Sequence, residues 1–198
     1  RVRYAPRRLQ TLASTGSMYR EARGVKSLLV LPMLLSLTAT MVGQLRRKNT
    51  VAYGHWWVPG GLVAVVAAAI ARRPSVVHLH GSDATIAATG VLRVLASFVM
   101  RCADVRLAVS QELACWSAKV SSRECGVLPM PVELERLPNP TPAPHNGLTL
   151  GVGRLVAEKG FDLLVEAVSL IDHRTRPEIT IVGIGPERSR LEAQARRL

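Results

Sequence analysis

Residues 148–171 read LTLGVGRLVAEKGFDLLVEAVSLI, and the order of residue types in this stretch decides the fold. An apolar run from Leu148 to Val152 ends in a glycine-containing turn that carries Arg154 and Lys159, and a helical pattern follows at once. The order is strand, tight loop, helix N-terminus. Backbone N–H groups in a first helical turn lack internal partners and the helix dipole is positive there, so such a loop is a ready site for an anion. Arg154 and Lys159 add two full charges. Gly151 and Gly153 remove side chains where a ligand's phosphates would approach the backbone, and Gly160 frees the turn into the helix. The plain alternative is an ordinary strand-to-helix turn with solvated charges, because short glycine patterns recur without any ligand.

The pattern then repeats. Helix 161–172 follows the loop, with Leu164, Ala167, Val168 and Ile171 expected on its buried face and Glu166 toward solvent. A strand from Glu178 to Val182, a second glycine turn with Gly183 and Gly185, and a helix running to Leu198 complete the region. GVGRLVAEKGFDLLVEAVSLI with ITIVGIGPERSRLEAQARRL resembles the start of the donor-binding domain of family 4 retaining glycosyltransferases, without a gap from Leu148 to Leu198. The resemblance implies an α/β chain of GT-B type, with two Rossmann-like, doubly wound domains that are both incomplete in this sequence. It implies that Arg154 and Lys159 grip the diphosphate of a nucleotide sugar, with Gly153, Gly183 and Gly185 beside the nucleotide. No metal ion and no further cofactor are expected.

Composition bounds the alternatives. A chain of 198 residues that is 48% hydrophobic is long and apolar enough to bury a core, which excludes global disorder. The net charge of +12 is unevenly placed: residues 1–82 hold twelve Lys and Arg against one acid, Glu21. Such an excess suits an anionic partner, either a membrane surface or a phosphate-bearing substrate. Nucleic acid is not expected, since aromatics are only 4% and no known reader motif is present. Cys102, Cys115 and Cys125 are odd in number and lack metal-type spacing, which suits a reducing, cytoplasmic setting.

Residues 1–23 are arginine-rich and read as the middle of a longer protein. Ser27 to Leu45 carries no charge over 19 residues, close to the roughly 20 that a spanning helix needs. Pro32, Ser36, Thr38, Thr40 and Gln44 favour instead a buried or interfacial helix, whose basic flanks suit peripheral contact with the inner face of a membrane. Val51 to Pro59, VAYGHWWVP, reads as a short strand, and a helix opens after Gly60 and Gly61 and runs to about Ala71. Val76 to Leu79 is another strand, leading into His80, Gly81, Ser82 and Asp83 at the end where open α/β sheets place ligands. His78 and His80 share one strand face. A metal pair there lacks a third ligand in the local sequence, and a hydrogen-bonded core residue is the simpler role for His78. Asp83 has the simple role of capping a helix from Ala84 to Thr89.

His55, Trp56 and Pro59, with His80, Gly81 and Asp83, are similar to the H-W-x-x-P and H-G-x-D segments of the acceptor-binding domain of the same glycosyltransferases. The resemblance assigns His80 and Asp83 as catalytic residues, His80 close to the transferred sugar and Asp83 in the loop that helps to form the acceptor side of the cleft. A covering helix is expected at 91–100, with Val91, Leu92, Leu95 and Val99 inward, followed by strand Asp104–Ser110, helix Gln111 to about Lys119 and the strand-like GVLPMPV. CADVRLAVSQEL and VLPMPVEL are also similar to family segments, although Pro131 stands where the family carries glycine and Glu133 where it carries Asp. Residues 138–147, PNPTPAPHNG, read as a linker, which sets the domains at 1–137 and 148–198.

The expected activity is transfer of a hexose from a nucleotide-diphosphate sugar to the hydroxyl of a glycan, lipid-linked or small-molecule acceptor, with retention of anomeric configuration. The family's downstream E-x7-E element would lie beyond Leu198; Glu158 and Glu166 match its spacing by coincidence. The 198-residue chain by itself is therefore expected to hold no nucleotide sugar tightly and to transfer nothing. Two rivals stand beside this reading. A dinucleotide-binding oxidoreductase fits Gly151 and Gly153 but finds Val156 at its third glycine position. A non-catalytic, basic membrane-surface or nucleotide-binding module is the other.

Overall fold

The computed structural model describes residues 24–87, 90–133 and 149–198. The basic segment 1–23, the linker 138–147 and the end of the helix expected to reach Thr89 lie outside the described residues. The chain divides into two compact units, Arg1–Val132 and Glu133–Leu198. Both are α/β with parallel strands, the Rossmann-like class that alternating strand and helix patterns dictate.

In the first unit a 3-10 turn at Gly24–Leu29 leads into α1, Val30–Leu45. Next come β1 (Ala52–His55), α2 (Leu62–Ala71), β2 (Ser75–Leu79), the single turn α3 (Asp83–Ile86), α4 (Gly90–Cys102), β3 (Val105–Ala108), α5 (Gln111–Ser121) and β4 (Gly126–Val127). The four strands pair in sequence order, all parallel. A helix between successive parallel strands is what that geometry requires, since a tight hairpin cannot return the chain in the same direction. Val77 and Leu79 of β2 and Ala108 of β3 point to one face, where Val65 of α2, Ala96, Val99 and Met100 of α4, and Leu113 and Ala114 of α5 close the main core. The opposite face carries Tyr53 and His55 of β1 in register with Val76 and His78 of β2.

Local chemistry fixes the element ends. Ser110 caps α5, its hydroxyl accepting from the Leu113 N–H. At the start of β2 the Ser75 N–H and hydroxyl both donate to Asp104, each at 2.8 Å, tying β2 to β3. These bonds hold the Asp104 carboxyl below its ordinary range. The C-terminus of α1 is met by Arg73, whose Nε donates to the Leu45 carbonyl at 3.1 Å, the favoured pairing of a cation with a helix C-terminus.

Three expectations need correction in this unit. The strand expected over Val51–Pro59 stops at His55, and Trp56–Gly61 forms a wide, π-type turn whose helical backbone is broken at Val58. Of the expected inward stripe of α4, Val99 is buried and Leu95 packs against the core, whereas Val91 and Leu92 are 82% and 44% exposed and Ala96 and Met100 are buried in their place. Helical spacing is satisfied by both sets, and only the position of the sheet chooses between them. Finally, of the buried and interfacial roles expected for α1 the buried one is not met: in α1 only Met33 and Leu45 are buried, and it touches the fold where Met41, Val42 and Leu45 meet Ala52, Ala64, Ala67 and Ala68.

The second unit pairs β5 (Thr149–Val152) with β6 (Ile179–Val182) in parallel, with α6 (Phe161–Ser169) and α7 (Arg188–Arg197) packed against each other. No residue of α6 is buried, and Ala167 and Ile171 of the expected inner face are exposed. A two-stranded sheet offers too little area to cover a helix face. Arg190 of α7 joins the two helices by an ion pair to Asp162 at 3.1 Å and pairs within its own helix end with Glu187 at 2.7 Å.

Close backbone approach makes Gly54 a sensitive position: a Cβ there would sit 2.6 Å from the carbonyl carbon and oxygen of Gly60. Neither backbone can retreat without moving β1 or the turn that follows it. Gly54→Ala is expected to cost about 1–3 kcal/mol or more, the range for overpacking. Urea denaturation reads the cost, and an unchanged midpoint would contradict this packing.

Candidate functional site

The chemistry-bearing residues of the first unit gather at the C-terminal ends of β1 and β2. The run VVHLH alternates, so Val77 and Leu79 enter the core while His78 and His80 take the opposite face. His55 stands beside His78 in the parallel register, which brings a third imidazole to the pair. The third ligand missing from the local sequence is therefore supplied by the neighbouring strand. One ligand nitrogen from each of His55, His78 and His80 lies within 4.8 Å of the others. His55 Nδ1 and His80 Nε2 are 2.9 Å apart, a hydrogen bond whose direction depends on tautomer. His78 is buried and held at both ring nitrogens, with Nδ1 2.7 Å from the Tyr53 hydroxyl and Nε2 2.9 Å from the Leu128 carbonyl. A carbonyl only accepts, so Nε2 carries the proton and Nδ1 accepts from Tyr53. Trp56 completes the rim, its ring centroid 5.1 Å from that of His80.

Asp83 sits beneath this rim and is 1% exposed. It does not cap α3; its Oδ1 accepts from the Trp57 N–H at 2.8 Å and its Oδ2 from the His80 N–H. The bond to His80, three residues upstream, closes the turn from the other side, since the Asp83 N–H donates to the His80 carbonyl at 3.1 Å. The Trp57 indole adds Nε1–H to the Asp83 carbonyl at 3.2 Å, so one residue clamps the turn after β1 to the turn after β2. Burial pushes the Asp83 carboxyl up to about 6, against the two backbone N–H bonds that favour its charged form. His80 is shifted the other way, down, first by burial and then by the neighbouring charges that His78 and His55 carry when protonated. Near neutral pH the pair is a buried carboxylate that touches backbone and a half-exposed, neutral imidazole able to accept a hydrogen bond.

The second unit holds the glycine loops. Gly153 donates its N–H to the Val182 carbonyl at 3.0 Å, and Leu155 donates to Ile184 and accepts from Glu187. The loops after β5 and β6 are thus bonded together, which places Gly153, Arg154, Gly183 and Gly185 side by side. Gly183 lies against the Gly153 carbonyl and Gly185 against that of Leu155, with no room for a side chain at either. Gly151 and Gly153 leave space for the Phe161 ring, within 3.2 and 3.3 Å of the Cβ each lacks, so their openness serves packing as well as ligand approach. Lys159 ends a 3-10 turn, Ala157–Lys159, and Gly160 enters α6 at φ 66°, a left-handed conformation that glycine adopts freely. The expected immediate passage from turn to helix is therefore a longer loop. Arg154 and Lys159 are both exposed, and among the described residues no ion pair holds either. A separate hollow of about 660 Å³ in this unit is lined by Leu164, Val168, Ile181 and Leu191 together with Arg176 and Arg188, and neither Arg154 nor Lys159 is among its lining residues.

His55, Tyr53 and Trp56 join the site without having been assigned roles from the sequence. Their signal was the matched alternation Tyr53/His55 and His78/His80, legible once the two strands are set in register.

No family model matches the chain. Over 153 residues it is 33% identical to a protein of Bacillus subtilis (strain 168) named "Putative teichuronic acid biosynthesis glycosyltransferase TuaC", with 70% of this chain and 39% of that protein in the match. The chain spans about two fifths of the length of this relative, so what is shared is similarity to part of a glycosyltransferase sequence.

Removing the Asp83 carboxylate leaves two backbone donors unpaired in a buried place, at about 1–3 kcal/mol each. Asp83→Ala is expected to lower stability by roughly 2–6 kcal/mol in urea denaturation. A variant as stable as the parent would show that the clamp does not hold the two turns.

Proposed function

We propose that the protein is a glycosyltransferase that moves a hexose from a nucleotide-diphosphate sugar to an acceptor hydroxyl. The observation that carries this reading is the 33% identity over 153 residues to a protein whose name states glycosyl transfer. The parallel α/β architecture and the histidine-lined end of β2 support it, because open sheets of this kind bind ligands beyond the carboxyl ends of their strands. Arg154 and Lys159 hold the donor's diphosphate and stabilise charge that develops on it as the glycosidic bond breaks, the kind of electrostatic stabilisation that usually dominates such steps. Gly153, Gly183 and Gly185 let the backbone approach the nucleotide. His80, neutral and half-exposed, meets the transferred sugar, and Asp83 positions it from below without touching substrate. Transfer proceeds with retention and needs no metal ion. The acceptor is a glycan, a lipid-linked sugar or a small molecule.

The test is calorimetric titration of UDP, GDP and ADP into the protein produced from its complete reading frame, and into its Arg154→Ala, Lys159→Ala double variant. Loss of two charge-assisted contacts is expected to weaken the preferred nucleotide by at least about 100-fold, from roughly 1.5–3 kcal/mol for each hydrogen bond to a charged group. Equal affinity in parent and variant would remove the diphosphate site from this loop.

A membrane surface is the second proposed partner, and the exposed side of α1 favours it. Leu28, Leu31 and Leu35 are 74%, 64% and 62% exposed, and Arg46, Arg47 and Lys48 follow at the helix end. The segment Ser27–Leu45, with mean hydropathy 1.8, is long and apolar enough to cross a bilayer. Its contact with α2 instead suits a helix lying in the interface, with the protein peripheral on the cytoplasmic face. Sedimentation with vesicles containing anionic lipid is expected at low salt, with release as salt rises. Leu31→Glu with Leu35→Glu should abolish most of the binding; retention at high salt would indicate a spanning helix instead.

A further inference from the structure

We propose that His55, His78 and His80 form a binding site for a borderline-soft divalent cation of the Zn²⁺ class. The three donors come from two adjacent parallel strands, two apart on β2 and in register across to β1, so the rigid part of the sheet rather than a loop sets their spacing. Tetrahedral zinc with Zn–N of about 2.0–2.1 Å places its ligand nitrogens about 3.3 Å apart. The 2.9 Å between His55 Nδ1 and His80 Nε2 is a few tenths of an ångström short of that, within reach of small side-chain rotations. All three nitrogens already fall inside 4.8 Å.

The outer contacts of the site match those of metal-binding imidazoles. His78 donates Nε2–H to the Leu128 carbonyl, the kind of bond that fixes a ligand's tautomer and ring plane. That bond leaves Nδ1 as its lone-pair donor. Tyr53 occupies this lone pair with its hydroxyl, but the side chain is 42% exposed and can turn aside. Of His55 and His80, the ring that donates across the contact must shift its proton to its other nitrogen, and no net proton is lost. Because His55 is exposed and His80 half-exposed, a fourth position remains for water. The neighbouring carboxylate, Asp83, is turned to backbone N–H groups. An all-imidazole set of this kind selects Zn²⁺, Co²⁺, Ni²⁺ or Cu²⁺ and not Mg²⁺ or Ca²⁺, which require oxygen ligands. If the proposed transfer function holds, an ion here withdraws His80 from the sugar and inhibits; the site itself does not depend on that function.

Binding is therefore read by spectroscopy and calorimetry rather than by turnover. The full 198-residue chain, stripped with a chelator, is titrated with Co²⁺ and with Zn²⁺. The expected results are one ion per chain, visible d–d absorption of the low-coordinate cobalt kind, displacement by Zn²⁺ and indifference to Mg²⁺. His55→Asn and His80→Asn should each weaken Zn²⁺ by at least about 100-fold, beyond the 10–100-fold of outer-contact changes. Thermal melts of both variants check that the fold persists. Tyr53→Phe, which frees the His78 lone pair, should tighten binding several-fold, an effect that a merely structural role for these residues would not produce. No saturable cobalt binding by the parent, or affinity unchanged in both His variants, would overturn the site.

Discussion

The Asp83 carboxylate accepts hydrogen bonds from the Trp57 and His80 N–H groups, and these two bonds make one element of two turns separated by more than twenty residues. Much else depends on them. Trp57, fully buried, is placed by its backbone bond and its indole bond to the same residue, and from there it anchors the core shared by α2, α4 and α5. The turn after β1 is equally constrained on its other side, where Gly60 packs on the His55 backbone and Gly61 on that of Trp56. A carboxylate placed under a rim of aromatic and imidazole rings therefore does structural service at the point where the chain's chemistry is concentrated.

This arrangement separates two roles that sequence similarity alone would merge. Asp83 is shielded and its oxygens are directed at backbone, whereas His80 presents a ring at the surface. Burial drives their proton affinities in opposite senses, up for the acid and down for the imidazole, because in each case it disfavours the charged form. The carboxyl is opposed by hydrogen bonds and the imidazole is pushed further by its histidine neighbours. The carboxylate thus holds the two turns, and the imidazole is left partly open to solvent.

The elements were largely legible in the sequence, for physical reasons that differ from place to place. Apolar runs ended by glycine or by the His-Gly-Ser-Asp turn located β2, β5 and β6, and the alternation of strand and helix patterns located α5 from Gln111. Helical spacing also located α6, but not its burial, because spacing says which residues share a face and nothing of what covers that face. The same limit left Val91 and Leu92 of α4 uncovered, while Leu95 and Val99 meet the core as expected. At the site, His80 and Asp83 were singled out, yet the convergence of His55 on His78 is a pairing of strands twenty residues apart in sequence. No local pattern encodes that register. The glycines of the second unit show a further gap: Gly183 and Gly185 were read for a ligand, and each also has a packing reason in the adjacent backbone.

The central proposal is that the protein transfers a sugar from a nucleotide-sugar donor. The most direct measurement is release of nucleoside diphosphate from a panel of UDP-, GDP- and ADP-hexoses by the protein made from its complete reading frame, with and without a membrane extract as source of acceptor. The account predicts acceptor-dependent release from one class of donor, lost when His80 is replaced by Ala while the protein remains folded. Release from none of the donors, or release indifferent to His80, would contradict it.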